Sequence, residues 1–378
     1  MINPFQFGGP IGEDAFCNRK KELRELRRII ENGAKVFIYS ERLLGKTSLI
    51  KLVLKKLPIR DYKTIYVDLL ATDDELSFMK VTAKAITDVL DTPLEKTIRL
   101  AQKYFSNLKP YASVDDEGKP VIKFEVTKSH IEGPDLDKVL NAVARVSKMV
   151  KKKVVVVFDE FQQITEYDSD LTERKLRTIV QHHRNVPYVF LGSRKHTIQR
   201  MFLDRSRPLY RIAIHFPLSP IADAEWLPFI RERFSNAKKK MSDAHILQLC
   251  RLTQSHPFYT QHLCHAIWEL CEPGASVTDT IIKDAIQLLL WRENIGYFSR
   301  WEALTKNQQR FLRGLANETN LAKPFKSGFI TKYNLGSTSS VQRVVQILVK
   351  KDIIDRENGV FIILDRFFRL WIQKTQTV

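Results

Sequence analysis

The sequence predicts an α/β fold with a doubly wound parallel sheet, followed by a helical lid and a C-terminal winged helix-turn-helix. Three observations support this prediction. Helix and strand patterns alternate up to about residue 217, residues 218–300 read as helices without strands, and the rest of the chain ends in helices followed by a hairpin. We therefore expect three domains, which span residues 1–217, 218–300 and 301–378.

The predicted sheet consists of apolar runs of strand length. Such runs are typical of strands that are buried on both faces of a parallel sheet. The five runs lie at residues 36–39, 64–68, 154–158, 188–191 and 212–216. Because parallel sheets bind ligands at the carboxyl ends of their strands, polar residues that follow these runs are candidates for a common site.

A hairpin is predicted between the second and third strands. Residues 111–114 and 121–126 alternate in polarity around the acidic turn 115–118. This hairpin is expected either to pack against the sheet edge or to contact a partner. The helix after it is predicted to begin at Pro134, and its apolar face is formed by Val139, Leu140, Val143 and Val146.

A candidate phosphate-binding loop, SERLLGKT, follows the first strand at residues 40–47. Backbone N–H groups of such a loop, together with the N-terminus of the next helix, form an anion site. Lys46 is expected to reach the β- and γ-phosphates of ATP, and Thr47 is expected to bind Mg²⁺. The residues predicted to contact the nucleotide here are Ser40, Glu41, Arg42, Leu43, Leu44, Gly45, Lys46, Thr47 and Ser48. Ser40 replaces the motif's first glycine, whose freedom at positive φ normally helps the turn.

The third strand ends in two adjacent carboxylates, Asp159 and Glu160. Buried strands seldom end in Asp-Glu for packing reasons, although a solvated turn is the alternative. Asp159 is predicted to hold Mg²⁺, and Glu160 is predicted to orient and deprotonate the attacking water.

The fourth strand is followed by Ser193 and Arg194. Either side chain could sense the γ-phosphate from this position. Arg194 is the better candidate, because a guanidinium can neutralise charge on the transferring group. The alternative is an ordinary exposed arginine.

These motifs resemble those of the prokaryotic, largely archaeal ATPase family in the AAA+ and STAND group of P-loop NTPases. The resemblance extends over nearly all of the chain. It is based on the box around Asn18, Arg19 and Glu22 and on the segments GKTSL, FDEFQ, FLGSR, HPFYTQ and LDRFFRLWI.

The resemblance implies an AAA+-like P-loop fold and a nucleotide-dependent switch or motor. It also implies that adenine binds near Asn18 and Arg19 and that a lid proline, Pro257, lies close to the nucleotide. The family's lid motif begins with glycine, where this chain has Ser255.

Composition points to a cytoplasmic protein. No apolar run approaches the roughly 18 residues that a membrane helix needs, and the opening MINPFQFGGP does not resemble an export signal. The four cysteines contain no CxxC pair, so no structural zinc is expected. Cys250, Cys264 and Cys271 lie in apolar helical contexts and are predicted to be reduced core thiols.

The region from residue 301 onward is predicted to be the winged helix. Helices at about 302–316 and 337–350 precede a hairpin centred on Glu357-Asn358-Gly359. The recognition helix is predicted to begin with a capping box from Ser339 to Gln342. Residues 301–378 contain 13 lysines and arginines against 6 acidic residues, in a chain of net charge +18. Such a charge favours double-stranded DNA, with contacts expected from Gln342, Arg343 and Arg356.

Two alternatives remain open at this stage. The winged helix could instead contact a protein or mediate homo-oligomerisation, because an acidic protein surface attracts the same charge. The chain could then be a nucleotide-gated signalling or assembly scaffold that hydrolyses little ATP. Arg184, Arg205 and Arg207 are unranked candidates for an arginine finger.

Overall fold

The structure is a computed structural model, and it describes residues 2–9, 11–90, 92–105, 108–126, 136–193, 195–318, 324–357 and 359–376. The chain divides into two compact units. One consists of Arg19–Ser219, and the other combines Met1–Asn18 with Pro220–Val378.

The Arg19–Ser219 unit alternates helices and strands, as the sequence predicts. Its elements are α1 (Lys20–Glu31), β1 (Val36–Tyr39), α2 (Lys46–Lys55), β2 (Tyr62–Asp68), α3 (Glu75–Asp88), α4 (Leu94–Tyr104), β3 (Leu108–Val114), β4 (Pro120–Val126), α5 (Leu136–Val150), β5 (Lys153–Asp159), α6 (Leu171–His182), β6 (Tyr188–Gly192), α7 (Lys195–Leu203) and β7 (Ile214–Pro217). A short 3₁₀ helix, Phe161–Glu166, follows β5.

A five-stranded parallel sheet, in the order β2-β5-β6-β1-β7, forms the centre of this unit within the described residues. β5 is buried along its whole length after Lys153, as its apolar run predicts. Because β6 lies between β1 and β5, the residues after β6 stand between those after the other two strands. The predicted parallel α/β fold is confirmed.

The predicted hairpin forms from β3 and β4, which pair antiparallel as a separate sheet. Ile122 and Phe124 of β4 are buried, and Phe124 packs edge-on against Phe105 after α4. The hairpin contacts α3 and α4. In α5 the four predicted core residues are buried, whereas Pro134, its predicted first residue, lies outside the described residues.

The second unit is built mainly of helices. Its elements are α8 (Asp223–Asn236), α9 (Asp243–Thr253), α10 (Pro257–Leu270), α11 (Asp279–Arg292), α12 (Asn294–Glu302), α13 (Lys306–Asn317), α14 (Ser327–Lys332), α15 (Thr338–Lys350), β8 (Ile354–Glu357), β9 (Val360–Ile363) and α16 (Arg366–Thr375). Residues 218–300, all of which are described, contain no strand. Cys250, Cys264 and Cys271 are buried free thiols.

The C-terminal helices and hairpin of this unit have the order expected of a winged helix. β8 and β9 pair antiparallel, and Gly359 in their turn has a φ of +84°; Asn358 lies outside the described residues. The predicted capping box at Ser339 and Gln342 is wrong. Ser337 caps the helix instead by accepting a hydrogen bond from the backbone N–H of Ser340, which starts α15 two residues earlier.

Among the described residues, no helix combines the length and the apolar composition that crossing a membrane requires.

Candidate active site

The loop after β1 turns into α2 at Gly45, whose φ is +87°. L-amino acids with side chains rarely adopt this conformation, so glycine suits the position. Lys46 is the first residue of α2, and Thr47 and Ser48 follow in its first turn. The loop therefore points the N-terminus of α2 toward the carboxyl edge of the sheet.

Ser40 contacts the loop lysine directly. Lys46 Nζ donates to Ser40 Oγ at 2.9 Å and to the backbone carbonyl of Glu41 at 3.0 Å. Lys46 is only 6% exposed. Burial lowers the pKa of Lys46 to about 8, while the carboxylates of Glu160 and Asp159 act in the opposite direction. The residue that replaces the motif's glycine thus supplies an acceptor for the ammonium group.

Asp159, at the end of β5, accepts hydrogen bonds from three other residues. Thr47 Oγ1 donates to its Oδ2 at 2.9 Å, and the Tyr66 hydroxyl donates to the same oxygen. The backbone N–H of Glu160 donates to Oδ1 at 2.9 Å. Two motifs that are 112 residues apart in the chain therefore meet at one buried carboxylate.

Tyr66 belongs to none of the motifs in the sequence. It lies on β2, which pairs with β5 along the register that ends at Asp68 and Asp159. Burial, followed by the charge of Asp159, raises the pKa of Tyr66 well above its usual range, so the hydroxyl stays protonated and donates. Finding this residue would have required knowing that β2 is the neighbour of β5.

This arrangement fits Mg²⁺ that arrives with a nucleotide. Mg²⁺ is commonly bound by one or two carboxylates, waters and substrate phosphates rather than by an all-protein cage. Thr47 and Asp159 offer a hydroxyl and a carboxylate side by side. The part of the chain that the structure describes contains no group of three or more His, Cys, Asp or Glu residues able to hold a metal by themselves.

Glu160 is held by two further polar side chains. Ser193 Oγ donates to its Oε2 at 2.6 Å, and Gln162 Nε2 donates to the same oxygen at 2.5 Å. Glu160 itself has a φ of +51° and begins the 3₁₀ helix that carries Gln162. Ser193 therefore lies beside Glu160, and its predicted contact with the γ-phosphate stays a prediction. Arg194 lies outside the described residues.

Gly192 makes this approach possible. A Cβ atom at this position would lie 2.9 Å from Ile198 and 3.0 Å from Gln162 Oε1. Those distances are too short for a real contact, so any side chain here would displace Gln162 or Ile198. Gln162 is the second site residue to which the sequence analysis gave no role, although it lies in the FDEFQ segment.

Arg19 links the loop to the end of the sheet. Its buried guanidinium donates to the carbonyl of Leu44 at 3.2 Å, to the carbonyl of Ser219 at 2.9 Å and to Glu22 at 3.1 Å. Asn18, which precedes it, has a φ of +46°. These contacts support the loop, and the roles proposed for Asn18 and Arg19 toward adenine stay predictions.

The lid motif belongs to the other unit. Pro257 is the first residue of α10, and Ser255, in the place of the motif's glycine, has a φ of +54°. The Ser255 hydroxyl donates to the carboxylate of Asp223. The predicted approach of Pro257 to the nucleotide stays a prediction.

The other predicted contact residues lie on surfaces. Gln342 and Arg343 are exposed on α15, and Arg356 is exposed on β8, where its Nε donates to the carbonyl of Gly359 at 3.3 Å. Of the three arginine-finger candidates, Arg184 and Arg205 are exposed, whereas Arg207 pairs with the buried carboxylate of Glu173 in its own unit.

Comparison with known proteins gives two family matches along the chain. Residues 16–263 match the family model described as an ATPase domain predominantly from Archaea. Residues 295–374 match a probable winged helix domain. No curated protein matches the sequence.

Two solved structures share the fold. The Walker-type ATPase of Pyrococcus abyssi has a TM-score of 0.61 at 17% identity, over 96% of this chain and 97% of that one. The ORC2 protein of Aeropyrum pernix, solved in ADPNP–ADP complexes, has a TM-score of 0.53 at 14% identity, over 96% of this chain and 95% of that one. At such identities the likeness concerns the fold alone. Since the family model covers most of the chain, including the phosphate loop and the Asp159-Glu160 pair, this protein belongs to the ATPase family found predominantly in Archaea.

Proposed function

We propose that the chain is a Mg²⁺-dependent ATP-hydrolysing switch whose nucleotide state controls contacts of its winged helix with double-stranded DNA. The observation that carries the proposal is the 2.9 Å hydrogen bond between Thr47 and Asp159. It brings the phosphate loop and the paired carboxylates together at one edge of the sheet. In this proposal residues 1–217 hold the ATPase core, residues 218–300 form the lid and residues 301–378 form the winged helix.

The proposed chemistry divides the work among the residues at this edge. Loop N–H groups and Lys46 bind the phosphates, and Thr47 and Asp159 would hold Mg²⁺, which when bound neutralises charge on the phosphates. Glu160 orients the attacking water and takes its proton. Tyr66 fixes the Asp159 carboxylate, and Ser193 and Gln162 fix that of Glu160.

Recognition of the nucleotide rests on further residues. Arg194 is proposed to contact the γ-phosphate, because it follows Ser193 in the chain. Its positive charge can neutralise the negative charge of the γ-phosphate, which only a triphosphate carries. Asn18, Arg19 and Pro257 are proposed to lie around the adenine, by resemblance to the family.

The proposed DNA contact is supported by charge and exposure. The winged helix has an excess of positive residues, and Gln342, Arg343 and Arg356 are exposed on its helix and wing. A helix of this kind enters the major groove while a wing meets the adjacent backbone. A protein that acts on DNA in this way is expected in the cytoplasm.

A second candidate function is a nucleotide-gated assembly scaffold with slow hydrolysis. One observation favours it: Glu160 Oε2 is already engaged by Ser193 and Gln162, and Lys46 is engaged by Ser40. These contacts compete with water and phosphate for the two side chains, which would slow hydrolysis.

Turnover of ATP measured with and without duplex DNA distinguishes the two functions. Stimulation by DNA supports the switch. Negligible turnover under both conditions, combined with ATP-dependent assembly in light scattering, supports the scaffold. A Glu160→Gln variant serves as the control, because it is expected to lose the turnover that arises at the proposed site.

A further inference from the structure

A groove lies between α1 and α2 in the Arg19–Ser219 unit. It encloses about 380 Å³. Its floor is apolar and its rim is cationic, and the lining residues are Lys20, Leu23, Arg24, Arg27, Val53 and Lys56. Val53 is buried and Leu23 is half-buried, while the four basic residues are exposed.

The groove coincides with the most basic part of its unit. Residues 19–60 contain 13 lysines and arginines against 4 acidic residues. Residues 61–217, almost four times as long, contain 26 against 22. The positive charge is therefore concentrated around α1, β1 and α2, and a basic face of this kind attracts a polyanion.

This groove is separate from the nucleotide site. Val53 follows Lys46 by seven residues in α2, which corresponds to about 10 Å along the helix axis. Val53 and Lys56 thus lie toward the end of α2 that is far from the phosphate loop, and the proposed ATP chemistry gives the cations of the groove no role.

The spacing of the cations suits a nucleic-acid backbone. Lys20, Arg24 and Arg27 follow one another along one side of α1 over about 10 Å, a length along which duplex DNA presents about six phosphates. Arg24 Nε donates to the Lys20 carbonyl at 3.2 Å, which braces its guanidinium along the helix. Arg27 pairs with Glu31 at 2.8 Å, and exposed pairs of this kind are weak enough to be exchanged for phosphate.

We propose that the α1–α2 groove is a second contact surface for duplex DNA, which binds phosphates through Arg24, Arg27, Lys20 and Lys56. The inference rests on the proposed function for the identity of its partner, but it uses a different surface. Such contacts position a duplex without reading its sequence. They would allow the ATPase unit to bind DNA through a surface separate from the winged helix.

The test is a salt titration of full-length protein on a labelled duplex, followed by fluorescence anisotropy. One variant combines Arg24→Ala, Arg27→Ala and Lys56→Ala. A charge-matched control combines Lys96→Ala, Arg99→Ala and Lys103→Ala, three exposed residues of α4. A third variant combines Arg343→Ala and Arg356→Ala in the winged helix. Nucleotide affinity, measured for each variant, reports on folding.

The groove variant is expected to bind DNA more weakly than the control and to reduce the slope of log affinity against log salt by about 2.7, which is 0.9 for each of three lost contacts.

Equal slopes for the groove variant and the control would overturn the inference. If those slopes are equal and the winged-helix variant loses DNA binding, the proposed function keeps its winged-helix contact with DNA and only the groove contact is rejected. Conversely, loss in the groove variant with none in the winged-helix variant supports the groove and removes the winged-helix contact. Loss of binding to polyglutamate, with unchanged DNA affinity, would identify the groove as a protein-binding surface and also overturn the inference.

Discussion

Ser40 accepts a hydrogen bond from Lys46 at 2.9 Å, so the residue that departs from the phosphate-loop motif is in contact with the residue that the motif needs most. This contact satisfies a buried ammonium group. To reach a phosphate, the ammonium has to exchange this partner or share it. Ser40 is therefore expected to influence nucleotide affinity.

Replacing Ser40 with alanine should tighten ATP binding. The substitution removes an acceptor that competes with phosphate for the ammonium group, and a hydrogen bond of this kind contributes about 1 kcal/mol, which corresponds to an about five-fold lower Kd. Calorimetry on wild type and Ser40→Ala measures the change. A Ser40→Gly variant separates the effect of the hydroxyl from that of backbone freedom. Equal or weaker affinity in Ser40→Ala would mean that the serine acts in the bound state.

Binding of ATP should take up a proton at mildly alkaline pH. Burial lowers the pKa of Lys46 to about 8, so more than half of this lysine is neutral above that pH. A bound triphosphate favours the ammonium form and raises the pKa again. Affinity should therefore fall as pH rises through about 8, and the complex should gain a proton.

Calorimetry at pH 8.5 in buffers of different ionisation enthalpy counts that proton. The same measurement at pH 6.5, where Lys46 is already charged, provides the control and should show no uptake by this group. Absence of uptake at both pH values would show that Lys46 is fully charged before ATP binds.

Replacing Tyr66 with phenylalanine should raise the Mg²⁺ concentration needed for half-maximal turnover. The lost hydroxyl donates to Asp159 Oδ2, and loss of about 1 kcal/mol of positioning corresponds to an about five-fold higher requirement. Affinity for nucleotide without Mg²⁺ should not change. Tyr62→Phe, the same substitution on the same strand, is the matched control. An unchanged Mg²⁺ dependence would leave Tyr66 with a packing role only.

Replacing Arg194 with alanine should weaken ATP more than ADP. Only the triphosphate presents the charge that this arginine is proposed to contact. Competition binding with ADP and a slowly hydrolysed ATP analogue measures the preference. If the mutant keeps the wild-type ratio of affinities, Arg194 does not read the γ-phosphate.

Much of this site could be predicted from the sequence because its motifs are local. β1 has the predicted bounds, and the end of β5 lies at Asp159. Tyr66 could not be predicted, because its role depends on β2 being the neighbour of β5, which is a matter of strand order. The contact between Ser40 and Lys46 depends on side-chain conformation within the loop. The start of α15 was predicted two residues too late, because Ser339 and Gln342 have the spacing of a capping box whereas Ser337 is the actual cap.

The most direct test of the central claim compares Lys46→Ala with Glu160→Gln. Lys46 is proposed to bind phosphate, whereas Glu160 is proposed to act only on water, so the two substitutions should separate binding from chemistry. We expect Lys46→Ala to lose ATP binding in calorimetry, and Glu160→Gln to bind ATP like wild type while losing hydrolysis. Wild-type ATP affinity in Lys46→Ala, or wild-type turnover in Glu160→Gln, would contradict the account.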